Sequence, residues 1–193
     1  VKLFDSNDDG IIAFGGDRAL DVYDSADDKD EMFLGGIKAD KGVRYLGEKD
    51  GYHVYADATV KLAGMKEGKV GDDKLNAASG NNTYLYDTAL GLHLGDDVIT
   101  NFTRGDKVVT TSKLYDSNDD GVIKFGLDKE LQLPGAEGGE ASDPVNAPGG
   151  TLSLFSDNGT KAVTGLVLLE EYTVTAANGA TTYYVYGFDI PTL

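Results

Sequence analysis

The chain has 193 residues, 40% of them hydrophobic, enough to build the core of one large domain or two small ones and too many for an acidic disordered tail. Its 33 Asp and Glu against 17 Lys and Arg leave a formal charge of −16, which repels phosphates and argues against nucleic acid and anionic membranes as partners. The absence of cysteine excludes disulfides and thiolate metal sites, and no apolar run reaches bilayer length.

From the N-terminus, Lys2-Leu3-Phe4-Asp5-Ser6-Asn7-Asp8-Asp9-Gly10-Ile11-Ile12-Ala13-Phe14-Gly15 recurs as Lys113-Leu114-Tyr115-Asp116-Ser117-Asn118-Asp119-Asp120-Gly121-Val122-Ile123-Lys124-Phe125-Gly126. The offset of 111 holds without a gap to Asp17 and Asp128 and on to Leu20 and Leu131, which marks an internal repeat. Each copy sets oxygen-bearing side chains on alternate residues and a Gly where a sharp bend is needed. Asp5, Asn7 and Asp9, and likewise Asp116, Asn118 and Asp120, then turn inward around a hard cation. The carbonyls of Ile11 and Val122 add a further ligand, and Ile12 and Ile123 anchor each loop to the core. The pattern resembles the first eight positions of an EF-hand calcium loop. Where that motif has a bidentate Glu, this sequence has Gly16 and Leu127, so Asp17 and Asp128, one residue later, are expected to close the shell. The cofactor implied is Ca2+. Asp/Asn/Gly clusters also form metal-free turns; two copies with the same candidate ligands favour the metal.

Beyond each loop the flanks Asp17 to Tyr23 and Leu131-Gln132-Leu133 alternate like strands, so a calmodulin-type opening switch is not expected. Ala26 to Leu34 and Thr88 to Leu94 have room for a turn or two of helix. Val43-Arg44-Tyr45-Leu46 reaches an Asp50-Gly51 turn and returns as Tyr52-His53-Val54-Tyr55. Gly165 to Thr175, Asn178-Gly179 and Thr181 to Gly187 repeat that design, and both turns carry strong hairpin signals. Strands are expected at Thr83–Tyr86 and Lys107–Thr111. Pro134 to Gly150, with three of the four prolines, reads as a surface loop inserted into the second unit. The expected fold class is mainly β: a calcium-binding unit over 1–57, a connecting segment over 58–111, and a second calcium-binding unit over 112–193 with its insertion at 134–150.

The connecting segment brings a second resemblance. Asn81-Asn82-Thr83-Tyr84-Leu85-Tyr86-Asp87, Leu94-Gly95-Asp96-Asp97-Val98-Ile99-Thr100-Asn101-Phe102 and Gly105-Asp106-Lys107-Val108-Val109 resemble the segment after the glycine-rich nonapeptides of RTX proteins and serralysin-like proteases. Val70 to Asn76 is at best a degenerate remnant of such a repeat. The resemblance covers about residues 71–111 and implies secretion and calcium-dependent folding, not a particular β-roll. Asp72, Asp73, Asp96, Asp97 and Asp106 are open to two readings, solvated turn residues or metal ligands.

Catalytic material is scarce. The two histidines, His53 and His93, are far apart, and no zinc, nucleophile-elbow or phosphate-loop motif is present. The chain therefore reads as a non-enzyme: a secreted, calcium-stabilised structural protein of the bacterial exterior, of the surface-layer, fibre-subunit or adhesin-repeat kind. No N-terminal signal peptide is visible, so an export signal has been removed, lies elsewhere or belongs to a longer chain. The alternative is a calcium-dependent module for carbohydrate or surface polysaccharide, with Tyr52, Tyr55, Tyr183, Tyr184 and Tyr186 as a stacking face. Those tyrosines also suit cross-strand packing. Partnership is expected as a homo-oligomer or polymer through β-strand contacts. The second loop is preceded by a strand at 107–111, whereas the first begins beside Val1. An unfilled edge in the first unit would thus accept a neighbour's Tyr183 to Ile190.

Overall fold

A computed structural model of the chain describes residues 3, 10–13, 19–25, 28–33, 42–135, 148–177 and 179–188. The fold is mainly β, as the alternating runs and Gly-rich turns require. Two compact units form: residues 1–62 with 175–180, and residues 63–174 with 181–193. The second brings together most of the connecting segment and most of the second repeat.

In the first unit, β1 (Ile11–Ile12) pairs antiparallel with β4 (Val43–Lys49), which pairs with β5 (Tyr52–Asp57). Asp50 and Gly51 both take positive φ between β4 and β5, as a tight hairpin turn demands. Leu3, Ile12 and Val43 are buried together, with Tyr55 packed against them. A separate hairpin joins β2 (Ala19–Ser25) to β3 (Asp28–Phe33). The strand over Asp28–Phe33 replaces the helical turns expected within Ala26–Leu34. A strand partner at β2 satisfies this backbone in a ladder, and tertiary pairing overrides weak local helix preference. The other helical expectation survives as one 3₁₀ turn, Thr88–Leu90, closed by Gly91 in the left-handed region.

In the second unit the chain passes back and forth between two sheets. β6 (Met65–Glu67), β8 (Thr83–Tyr86) and β10 (Lys107–Thr110) stack in parallel in one sheet. β7 (Lys74–Asn76), β9 (Asp96–Thr100) and β13 (Pro148–Leu154) do so in the other. Met65 lies opposite Thr83 and Lys74 opposite Val98. Successive half-turns from Met65 to Lys74 to Thr83, and from Val98 to Lys107, are therefore nine residues long. The half-turn from Thr83 to Val98 is six residues longer, and the Thr88–Leu90 turn lies within it. The parallel ladders were not legible in the sequence, which predicted only β8 and β10 as strands.

The first of these sheets continues through β15 (Gly179–Phe188), β14 (Gly165–Ala176) and β11 (Val122–Lys124). The second ends on β12 (Leu131–Pro134), antiparallel to β13. The predicted insertion thus starts and finishes in paired strands, Pro134 opposite Pro148, and 136–147 lie outside the described residues. Tyr183 to Phe188, the core of the segment expected to be donated to a neighbour, belongs to β15, between β14 and β10 of its own sheet.

Candidate metal centre

The second acidic loop is held by its own side chains. The Asp116 carboxylate accepts the Gly121 N–H at 2.7 Å and the Asn118 N–H at 3.3 Å. Asp120 accepts the Val122 N–H at 2.9 Å and the Asn118 side-chain amide at 2.8 Å. Gly121 sits at φ +82 and Asp119 at φ +55, so the bend uses left-handed backbone where Gly serves best. Ile123 is buried and ties the loop to the core. Asp120 also pairs with Lys124, Nζ to Oδ2 at 2.8 Å. Hydrogen bonds from Lys124, Asn118 and Val122 hold the Asp120 carboxyl down at about 2.

The proposed closing ligand is engaged elsewhere. Asp128 accepts the Glu130 N–H at 3.1 Å, in a turn where Gly126 N–H reaches the Glu130 carbonyl. Among the described residues no three acidic or histidine side chains gather into a group that could hold a metal ion. Asp116, Asn118, Asp120 and Val122 thus share one tight loop, and Asp128 caps its own turn. In the first loop Ile11 lies in β1, whereas Asp5, Asn7, Asp9 and Asp17 lie outside the described residues.

Where both are described, the flanks of the two loops pair alike. Ile11 and Ile12 pair with Arg44 and Val43, as Val122 and Ile123 pair with Val167 and Leu166. The Leu3 N–H donates to the Tyr55 hydroxyl at 2.7 Å, and the Leu114 N–H to the Tyr186 hydroxyl at 2.8 Å. Burial pushes the Tyr186 phenol up to about 12, so it stays a neutral partner for that N–H.

The aspartates of the parallel ladders connect rungs. Asp72 accepts the Asp96 N–H at 2.9 Å, and Asp96 accepts the Thr151 N–H at 3.1 Å. Asp97, buried, accepts the Asp73 N–H at 2.8 Å and the Tyr86 hydroxyl at 2.9 Å, which ties the two sheets together. Burial raises the Asp97 carboxyl to about 7, against lowering by those two hydrogen bonds, and Asp73 and Asp72 add repulsion. Asp106 is buried too, yet hydrogen bonds from Asn82 and Thr103 outweigh desolvation and lower its pKa. The sequence signal for this scaffold is a 24-residue spacing: Asp73 with Asp97, Asn82 with Asp106, Asp87 with Thr111, and Thr88 with Ser112.

Of the tyrosines considered as a stacking face, Tyr183 and Tyr186 are buried, and Tyr52 is exposed. The His53 Nδ1 lies 3.1 Å from the Tyr45 hydroxyl, and the His93 Nδ1 accepts the Gly95 N–H at 3.2 Å. No helix among the described residues is long and apolar enough to cross a membrane. Compared with known proteins, the chain matches no family model, no curated protein and no solved structure.

Proposed function

We propose that the chain is a secreted, calcium-stabilised structural protein of the bacterial exterior, of the surface-layer, fibre-subunit or adhesin-repeat kind, with no catalytic role. The observation that carries this reading is the duplicated acidic loop. Asp116, Asn118 and Asp120 share a bend whose Gly121 N–H binds Asp116, and the same residue types recur 111 residues earlier. The nine-residue half-turns of the parallel ladders support the resemblance to calcium-dependent secreted repeats. A charge of −16 supplies the motive, because divalent ions relieve the repulsion that the compact state concentrates.

Without the position-twelve Glu, each loop belongs with weak extracellular sites, about 10⁻⁴–10⁻³ M. The test is thermal unfolding in millimolar calcium, in excess EGTA, and in sodium or magnesium at matched ionic strength. Calcium should raise the melting temperature beyond the ionic-strength controls; equal melting curves in calcium and EGTA would overturn the proposal.

A further inference from the structure

The corner that leads into β8 and β10 brings an amine, an amide and a carboxylate into contact. Asn82 and Asp106 stand just ahead of those two strands, and the Lys107 N–H donates to the Asn82 carbonyl at 2.8 Å. Lys66 comes from β6, opposite Tyr84. Its Nζ donates to the side-chain Oδ1 of Asn82 at 2.8 Å. The Asn82 Nδ2 donates to Asp106 Oδ1, also at 2.8 Å, and lies 3.3 to 3.4 Å from the carbonyls of Ala77, Ser79 and Gly80. Both ends of this amide are therefore held. The amine is held too, 5.4 Å from the centroid of the buried Tyr84 ring. Asp106 is fully buried, and against desolvation the hydrogen bonds from Asn82 and Thr103 keep it ionised.

We propose that Lys66 and Asn82 are the two halves of an amide cross-link that the chain forms by itself, with Asp106 as the proton carrier. A fixed contact of this kind turns a bimolecular reaction into an intramolecular one. Lys66 is exposed, so its ammonium gives one proton to water and frees the nitrogen lone pair. Nζ attacks Asn82 Cγ, and the new C–N bond forms as the carbonyl electrons move onto Oδ1. Asp106 takes a second proton from Nζ and passes it to Nδ2, the nitrogen it already touches. The carbonyl re-forms, the Cγ–Nδ2 bond breaks, ammonia leaves, and Asp106 is a carboxylate again. No oxidant or reductant enters. The product ties β6, a strand of three residues, covalently to the residue that opens β8. A cross-link between distant residues also restricts the unfolded chain. The inference rests on the geometry of one corner and is independent of the calcium reading.

The test is the intact mass of the purified full chain, kept in millimolar calcium so that any need for the ion in folding is met. A mass lower by one ammonia is expected, and the fraction converted should grow on incubation at alkaline pH. A protease digest should yield one branched peptide joining Lys66 to Asn82. Lys66→Arg keeps the charge but has no amine to acylate, so its mass should stay whole. Asp106→Asn should convert at least about a hundredfold more slowly. A wild-type chain of unaltered mass after alkaline incubation would overturn the proposal. So would loss of ammonia that persists in Lys66→Arg, which assigns it to succinimide formation at an asparagine. An equal rate in Asp106→Asn would overturn the role given to that carboxylate.

Discussion

Asp97 sits in β9 with Leu152 of β13 beside it in register, so its carboxyl points where its neighbours carry apolar side chains. Burial lifts it to about 7 from an ordinary 3.8. Because the folded value is the higher one, the stability it contributes is complete below about pH 4 and is lost as pH rises through 7. The loss is up to about 4 kcal/mol for a shift of this size. Asp97→Asn keeps an acceptor for the Asp73 N–H and offers an amide to the Tyr86 oxygen. The difference between wild-type and variant stability, followed by urea unfolding from pH 4 to 8, should fall across that window and be flat outside it. Lys124 makes a second residue-scale case. Its ammonium occupies an oxygen of Asp120 that a cation would use, and the first loop has Ala13 at the matching position. On the calcium reading, Lys124→Ala should tighten one of the two sites by about three- to tenfold at low salt, measured by calorimetry.

At the scale of elements, the loops and hairpins are joined by one tyrosine each. Tyr186→Phe leaves the buried Leu114 N–H without its acceptor and should cost about 1–3 kcal/mol. Tyr55→Phe should cost less, under about 1 kcal/mol, since the Leu3–Tyr55 bond is only partly buried and water can replace the hydroxyl. Chemical denaturation of both variants checks the order. The stacked rungs depend on glycine where their corners meet. Gly150 has φ +98, and a Cβ there would lie 2.1 Å from the Gly95 carbonyl oxygen. Gly150→Ala should therefore lose about 3 kcal/mol or more, from backbone overlap and left-handed strain together. Gly80→Ala, also left-handed but with nothing within 4 Å of the new Cβ, should lose about 1 kcal/mol.

For the whole molecule, charge and ligand binding meet. A chain at −16 should gain stability from salt through screening. If the loops bind calcium, Asp9→Ala and Asp120→Ala should each remove about one ion per chain in elemental analysis. Full stoichiometry in both variants would reduce the loops to turns. The second variant also removes the acceptor of the Val122 N–H and the Lys124 pair, so the calcium count and the melting temperature should be read together.

Periodicity of two, the Asp-Gly and Asn-Gly turns and the repeat at 111 made the β class, the two hairpins and the bend of the second acidic loop legible in the sequence. These are local signals: alternation chooses the strand, glycine chooses the bend, and repetition carries both into the second copy. What the neighbours of each strand would be was not local. Met65–Glu67 and Lys74–Asn76 are three-residue strands, too short to show a period, and parallel partners eighteen or 24 residues away stabilise them. Asp97 and Asp106 read from the sequence as surface turn residues or ligands. Only the stacking of rungs buries them and aims backbone N–H groups at their oxygens. Tyr52 and Tyr183 stand in near-identical sequence. Tyr183 is buried with its ring stacked on Tyr172 of β14, in a hairpin that β10 lines, and Tyr52 is exposed in a hairpin with no such strand beside it among the described residues. The sequence by itself determined the hairpins and the candidate cation loop, because short-range sterics and side-chain chemistry specify those. Tertiary structure alone decided which carboxylates are buried and which strands lie side by side, because both depend on chain brought in from far along the sequence.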